Sequence, residues 1–389
     1  MDNINTMTVA TNIMLGLFFL LLVLMTASVS MVPWIADRHA VFGVSVPLSA
    51  HTDRRIRGYK AMYACNIVSC GIIALLIDAM IWRNFGMAGA LWALFISSLV
   101  IAAMGFIAQQ RYRRLTLELK KERGWTATGE RHSALIGERD NPEPLGLAWE
   151  SLHVVAIAVT IAVGVLGYDR MPDRVAMHAN AAGQIDGWAD KSPMLIWYPV
   201  IAQVMLAMVM MAGHAAIIYA KHPIDPDHPA ATGYAYGVFS RVWSIYMLVI
   251  GLLTAGGIGM GIQLSNIGVI TLGTFGVFAM FIAVAALLGA LVIGLYYGQN
   301  GSHEYAERRS VTMGRGGEDA ATDGDKSMPY DDDRYWVAGV FYVNRDDPAV
   351  MVPKRFGVGW TVNFARPSVI IVSVVLIAVC IGSLVVAVI

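Results

Sequence analysis

The residue types best suited to chemistry gather in one short polar stretch, 169–194, which lies between two long apolar runs. An imidazole and carboxylates that turns bring together can hold a divalent cation. They can equally form a protonation switch, because histidine titrates near neutral pH. The candidates for both roles are His178 and Asp186. Their spacing matches no known metal motif, and the turn-forming residues around them suit a plain connector between membrane spans equally well.

A second set of polar residues lies inside the apolar runs themselves. Ionisable groups at membrane depth are costly, so each is a candidate for function. They suit a proton or cation path, or a structural ion pair accompanied by side chains that reach the headgroups. We expect an ion pair between Glu150 and Arg241 at the inner face. The set comprises Asp78, Glu150, His153, His214 and Arg241.

Composition places the chain in the membrane. Of its 389 residues 57% are hydrophobic and only 14% charged, against about 25% charged in soluble domains. The 28 basic and 28 acidic residues cancel, so charge gives no reason to expect a direct nucleic-acid partner. The lipid bilayer is the expected surrounding. Cys65, Cys70 and Cys380 all lie in apolar runs and show no metal-ligand spacing.

The expected fold class is an all-α polytopic membrane protein with about eight spans of roughly 20 residues and a small cytoplasmic β-meander. Lys and Arg number 23 in one alternating set of loops and 4 in the other, which predicts that both termini, and stretch 169–194, lie outside. The first run is too long for a signal peptide and should be retained. The predicted spans are 9–32, 61–82, 88–108, 150–168, 195–219, 234–262, 267–297 and 367–389.

The amino-acid composition of the segment before the last span changes at its middle. A Gly-, Asp- and Ser-rich linker is followed by short aromatic and β-branched runs, which predict a β-meander with a turn near 344–348. About 35 residues are too few to fold alone. The meander should therefore dock on the inner membrane face or on another loop, with 355–362 pairing as a strand beside 41–47. The acids at 331–333 should be solvated. The predicted domains are 1–149, 150–298, 299–328, 329–366 and 367–389.

The stretch "MPDRVAMHANAAGQIDGWADK" resembles the signature of the bacterial membrane family that contains the SdpI-type immunity protein. Ala176, Ala179 and Ile185 replace a proline, an aromatic residue and a proline of that signature. The resemblance covers about 25 residues and the flanking spans. It implies an outward ligand or partner loop built from His178, Asn180, Gly183, Asp186, Trp188 and Lys191. The matching positions are Met171, Pro172, Val175 and those six residues.

Residues 331–367 are similar to a small C-terminal domain of unknown function found in longer Gram-positive members of that family. Together these resemblances imply a non-enzymatic protein of the bacterial cell membrane, acting in envelope stress sensing or immunity to antimicrobial peptides. Its expected partners are an antimicrobial peptide or envelope ligand outside and a cytoplasmic regulator inside. No cofactor is expected apart from a divalent cation at the outward loop. The alternatives are an ion- or proton-coupled transporter and, less favoured because no nucleophile motif is present, a metal-dependent membrane hydrolase.

Overall fold

A computed structural model describes residues 2–127, 141–180, 184–222, 229–304, 328, 331–371 and 373–374. Long apolar helices dominate these residues, because a backbone in lipid must satisfy its hydrogen bonds within the segment. A π-helical turn, Leu252–Gly256, joins the fifth and sixth helices. The helices are α1 (Asp2–Ile35), α2 (Arg54–Arg123), α3 (Ser151–Gly167), α4 (Met194–Ile218), α5 (Pro229–Gly251), α6 (Gly257–Ile267) and α7 (Leu272–Tyr297).

The described part of the chain contains six helical segments long and apolar enough to cross a membrane, the pattern of a multi-pass membrane protein. Eight spans were predicted, and the difference has identifiable sources. The second and third predicted spans belong to one segment, α2. Most of the eighth, 367–389, lies outside the described residues. The outside location of both termini stays a prediction.

Helix α2 folds back on itself as two antiparallel arms. Its 70 residues would extend about 105 Å if straight, yet its ends meet. Arg55 lies 2.6 Å from Glu122, and Arg123 lies 2.9 Å from Asp53. The reversal occurs at Gly86, whose φ of 68° a side chain would disfavour. This is where the sequence predicts a tight turn between two spans.

Four two-stranded antiparallel sheets occur within the described residues. The first is a hairpin between α1 and α2, and the second lies between α3 and α4. The last two belong to the C-terminal element that we call the β module, residues 331–366. The strands are β1 (Ala40–Val41), β2 (Val44–Ser45), β3 (Arg174–Ala179), β4 (Ile185–Asp190), β5 (Trp336–Val337), β6 (Phe341–Tyr342), β7 (Met351–Pro353) and β8 (Trp360–Val362).

The β module has its own small core. Trp336, Tyr342 and Val352 are buried together. The side-chain amide of the buried Asn363 donates to the carbonyls of Asn344, Asp347 and Ala349. These bonds hold the turn between β6 and β7, the position where the sequence predicts one. Most of the predicted linker before the module, 305–327, lies outside the described residues.

The β module packs against the β1–β2 hairpin, but not through the predicted strand pairing, which was wrong. Strand β1 pairs with β2, and β8 pairs with β7. Side chains and turns make the contact instead. A Cβ on Gly43 would lie 2.4 Å from the carbonyl oxygen of Gly339, and the Phe42 and Phe356 rings lie 5.8 Å apart. The two turns approach so closely that only glycine fits at this point.

The acids before β5 form the polar centre of this contact. The prediction that they are solvated holds for Asp331, which is exposed, and was wrong for Asp332 and Asp333. The Asp333 side chain is only 17% exposed. Its Oδ1 accepts from Arg355 at 2.5 Å and from the Ser45 backbone N–H at 2.8 Å, and its Oδ2 lies 2.7 Å from Lys120 Nζ. Lys120 also reaches Asp331 at 2.8 Å. The acids therefore anchor the module on α2 and the first hairpin.

The opposite side of the β module contacts the ends of α4, α5 and α7. Lys221, just after α4, forms an ion pair with Asp347 at 2.5 Å, and its backbone N–H donates to Met351. Gln299 and Gly359 exchange two hydrogen bonds. The Trp360 indole donates to the Tyr236 hydroxyl at 3.2 Å. The module thus joins the α1–α2 half of the helix assembly to the α3–α7 half.

His51, near this contact, makes stability depend on pH. Its Nε2 bonds the Arg38 carbonyl at 2.7 Å, so its Nδ1, which faces Lys60 Nζ at 3.0 Å, must be an acceptor. Burial, followed by the Lys60 charge, lowers the pKa of His51 to about 4. Below pH about 6.5 the unfolded chain binds a proton that the folded chain excludes.

We therefore expect stability to fall as the pH drops from about 6.5 to about 4, by up to roughly 3 kcal/mol from His51. Thermal unfolding of the full chain in detergent at pH 7 and pH 5 measures the effect. The His51→Gln variant should lose less of its stability across this interval than the wild type. Equal losses in the two proteins would contradict the role of His51.

Candidate functional site

The polar stretch between α3 and α4 is a β-hairpin, β3–β4, rather than a connector of turns. Its base is apolar: Met171 and Val175 pack with Leu195, Ile196 and Ile267 at the ends of α4 and α6. Its tip, by which we mean the His178–Asp186 pair next to the turn, is polar and exposed. The buried base seats the hairpin on the helix ends.

His178 and Asp186 face each other across the hairpin. His178 Nδ1 lies 2.5 Å from Asp186 Oδ1, with side chains 70% and 46% exposed. The strand register shifts on both sides of His178, and such bulges re-aim side chains. Opposite it, a Cβ on Gly187 would lie 2.8 Å from the His178 Cβ. Gly187 thus makes room for the pair. Sequence patterns identified "DG" only as a turn signal and did not predict this role of Gly187.

The other predicted loop residues have structural contacts. Asn180 accepts from the Gln184 N–H at 3.0 Å and closes the turn. Lys191 donates to the Met171 carbonyl at 3.0 Å and lies over the Tyr168 ring, which ties the hairpin to the end of α3. Trp188 is half exposed beside Arg174. Gly183 lies outside the described residues.

The described residues do not include a group of three His, Cys, Asp or Glu side chains arranged around a metal ion. His178 and Asp186 are the two candidate ligands at the hairpin, and their direct hydrogen bond occupies Nδ1 and Oδ1. With this bond in place a divalent cation could still bind His178 through Nε2, because metal-bound histidines commonly donate their other ring N–H to a carboxylate. The cation at this loop stays a proposal.

At the far ends of the same helices, three of the predicted intramembrane residues form one buried cluster. His214 Nδ1 lies 2.6 Å from Glu150 Oε1, and His214 Nε2 bonds the Leu145 carbonyl at 2.8 Å. His153 Nε2 lies 3.2 Å from Glu150 Oε2 without hydrogen-bond geometry, so neither atom has a hydrogen-bond partner among the described groups. All three side chains are almost fully buried.

The predicted Glu150–Arg241 ion pair was wrong. Glu150 faces the two histidines, whereas Arg241 is exposed on α5 and forms no ion pair with a described residue. Ser244, one turn after Arg241, is buried and accepts from the Leu145 N–H, whereas the Arg241 side chain is exposed. A long, exposed arginine side chain can extend along the helix toward the headgroups without an ion-pair partner.

Asp78 is buried between the two arms of α2, where Ser97 donates to its Oδ1 at 2.9 Å. Its Oδ2 has no hydrogen-bond partner among the described groups. Asp78 and the Glu150 cluster belong to different helices, α2 on one side and α3 and α4 on the other. The structure therefore shows two separate buried acidic positions.

The sequence interpretation missed two buried amides inside the α3–α6 group. Gln203 on α4 and Gln263 on α6 are fully buried, and neither amide has a hydrogen-bond partner among the described groups. Both side chains are neutral, so a criterion based on ionisable groups does not select them. Any amide in an apolar run of this length is a usable signal, because its polar atoms cannot reach water.

Comparison with protein families gives two matches. Residues 155–202, which contain most of α3, the hairpin and the start of α4, match a domain of unknown function, DUF1648. Residues 345–370, the second half of the β module and the four residues after it, match a family of unknown function, DUF5808. No curated protein and no solved structure matches the chain. The chain is thus similar to two families without a known function, one at the hairpin and one at the β module.

Proposed function

We propose that this protein is a non-enzymatic component of the bacterial cell membrane that meets an envelope ligand, such as an antimicrobial peptide, through the tip of the β3–β4 hairpin. The observation that carries the proposal is the exposed His178–Asp186 pair on a hairpin whose base is buried. An exposed ion pair contributes only about 0–1 kcal/mol to stability. These residues are therefore available for binding, and they are not needed to hold the fold.

The β module supplies a route by which binding is reported inside. The hairpin base packs on one end of α4, and Lys221 at the other end of α4 bonds the module. A ligand that shifts the hairpin would move α4 and change the contact between Lys221 and Asp347. A cytoplasmic regulator would then recognise the β module in one of two positions, which is the two-state requirement for a switch. The resemblance to SdpI-type immunity proteins supports this direction of action.

Complementation of a deletion strain tests the role of the hairpin tip. We expect wild-type protein to restore growth in the presence of a panel of cationic membrane-active peptides. Survival with His178→Ala or Asp186→Ala should be at least tenfold lower than survival with the wild-type protein. The matched control is Asp190→Ala, which removes an exposed acid of the same hairpin, paired with Arg174 at 3.8 Å. Membrane levels of each variant are measured by immunoblot, since the substitutions should leave folding intact.

Two results would overturn the proposal. One is a deletion strain that survives as well as its parent against every peptide and shows unchanged transcripts. The other is full restoration by both His178→Ala and Asp186→Ala. Addition of a chelator distinguishes a cation-dependent tip from a metal-free one, because only the former should lose its protective effect when divalent ions are removed.

A further inference from the structure

We propose that the interior of the α3–α6 group is a proton pathway that is closed in this conformation, with Glu150 as its central proton carrier. The pathway joins the Glu150, His153 and His214 cluster to the amides of Gln203 and Gln263. It goes beyond the hairpin function, since no residue of β3 or β4 belongs to it.

The polar groups lie at two levels of one column, the Glu150 cluster at one end and the two amides nearer the hairpin. A Cβ on Gly251 would lie 3.3 Å from His153 Nε2, and one on Gly259 would lie 2.6 Å from Gln203 Oε1. A Cβ on Gly164 would lie 2.4 Å from Gln263 Nε2. Gly164 follows His153 by about 17 Å along α3. The column therefore runs from the cluster toward the hairpin, where Asn266 bonds the Leu195 carbonyl.

Glycines face this column at each level. Gly164, Gly251 and Gly259 each present a bare backbone to a polar side chain of a neighbouring helix, and a methyl group at these positions would collide with that side chain or crowd it. The π-helical turn Leu252–Gly256 lies between two of them, and such turns often occur at functional sites. The helices are therefore built to enclose polar groups, which a purely structural bundle would avoid.

The two unpaired amides indicate that water is the second component of the proton pathway. Gln203 and Gln263 have unpaired Nε2 and Oε1 atoms within the described groups, and all four atoms are buried. Burial of unpaired amides is unfavourable, whereas a water bonded to two or more of them would satisfy them. Waters along these amides would carry protons between the hairpin end and His153.

Hydrogen bonding restricts where the proton of the cluster can lie. The Leu145 carbonyl only accepts, so His214 Nε2 must carry a hydrogen. His214 Nδ1 then either accepts from a Glu150 carboxyl group or donates to a Glu150 carboxylate. In both cases one proton is shared across a 2.6 Å distance. The second oxygen of Glu150 stays available to His153.

Transfer through Glu150 conserves the protons. Once the His153 ring turns into hydrogen-bond alignment with Glu150 Oε2, 3.2 Å away, a protonated His153 gives its Nε2 proton to that oxygen while the proton on Oε1 moves to His214 Nδ1. Glu150 is again neutral, His153 is neutral, and His214 carries the charge at the end of the bundle. The Leu145 carbonyl bonds His214 of this cluster, and Ser244 of α5 accepts from the Leu145 N–H.

Proton flux into vesicles tests the pathway. The full chain is reconstituted in liposomes that contain a pH-sensitive dye, and a potassium diffusion potential set by valinomycin drives protons inward. We expect flux well above that of protein-free vesicles, at least a tenfold loss in Glu150→Gln, and a similar loss in Gln203→Leu. The matched control, Glu122→Gln, removes an exposed carboxylate of α2 and should keep the wild-type flux.

The Gln203→Leu variant keeps the test decisive if Glu150→Gln does not fold, because leucine fills the same space without a polar group. Monodisperse elution and helical content establish folding for each variant. Wild-type flux equal to that of empty vesicles would overturn the pathway, and so would wild-type flux in folded Gln203→Leu. Neither result bears on the hairpin, whose test is survival against peptides.

Discussion

Arg355→Met is expected to separate the β module from the membrane helices. The Arg355 side chain is 7% exposed, lies over the Trp336 ring at 5.3 Å and donates to Asp333 and to the Ser45 hydroxyl. It also forms an ion pair with Asp332. Methionine keeps much of the packing volume but removes the cation that pairs with Asp332 and one of the two cations that bind Asp333. Removal of one partner from a buried ion pair typically costs about 3–5 kcal/mol.

Hydrogen exchange of the full chain measures this loss of docking. A cost of about 3–5 kcal/mol corresponds to roughly 10²- to 4 × 10³-fold faster exchange, since 1.4 kcal/mol is tenfold. The faster exchange should appear in β1, β2 and the β module. The helices α3 and α4 should exchange as in the wild type. The matched control is Arg345→Met, which replaces an exposed arginine of the same module. Equal protection in Arg355→Met and Arg345→Met would show that docking does not depend on the ion pairs.

Lys120 offers an independent check of the same contact from α2. It binds Asp331 and Asp333 at 2.8 and 2.7 Å, so it shares the Asp333 carboxylate with Arg355. Groups in one network are not additive. The Lys120→Met and Arg355→Met substitutions should therefore cost less together than the sum of their separate effects.

The second large effect is expected in the buried Glu150–His214 pair. Glu150→Leu or His214→Leu alone leaves a buried polar group unpaired, and we expect each to lower the stability by about 3–5 kcal/mol. The double variant should recover most of this loss, because two apolar groups of similar volume often replace a buried pair at little cost. It should not recover all of it, since the Leu145 carbonyl, which accepts from His214 at 2.8 Å, stays unpaired.

Unfolding of the three variants in mixed detergent micelles gives the coupling energy as a double-mutant cycle. The reference is the exposed pair of Arg55 and Glu122, at 2.6 Å, whose corresponding cycle should give no more than about 1 kcal/mol. A coupling of similar size at both pairs would mean that Glu150 and His214 lie in a wet, solvated site. Additive single losses would show that the two side chains do not interact.

Much of the membrane architecture can be predicted from the sequence alone, for a physical reason. Lipid imposes long apolar helices, so runs such as 267–297 are recognisable from composition. The fold-back of α2 was also predictable, because "RNFGM" interrupts two runs and Gly86 permits the positive φ of the reversal. The imidazole and carboxylate of the hairpin could be singled out because their chemistry is unusual between two spans.

Tertiary structure decided which of these groups meet. Glu150 contacts His153 and His214, and not Arg241, because the pairing depends on which faces of α3, α4 and α5 turn inward. Apolar runs that are hydrophobic on every side carry no periodicity from which to read those faces. The prediction of the strand pairing was wrong for a similar reason. Tripeptides such as Phe-Gly-Val indicate a turn or an extended run, but the partner of β1 depends on the positive φ at Phe42 and Gly43.

The sequence by itself determined the membrane class, the polar hairpin stretch and the β-rich texture of the C-terminal module, because each rests on local composition. Only the tertiary structure brought His178 to Asp186, grouped Glu150 with two histidines and placed Asp333 between Lys120 and Arg355. These contacts join residues from separate elements, and no local pattern encodes the distances between elements. Both proposed sites therefore depend on packing that the chain acquires only when it folds.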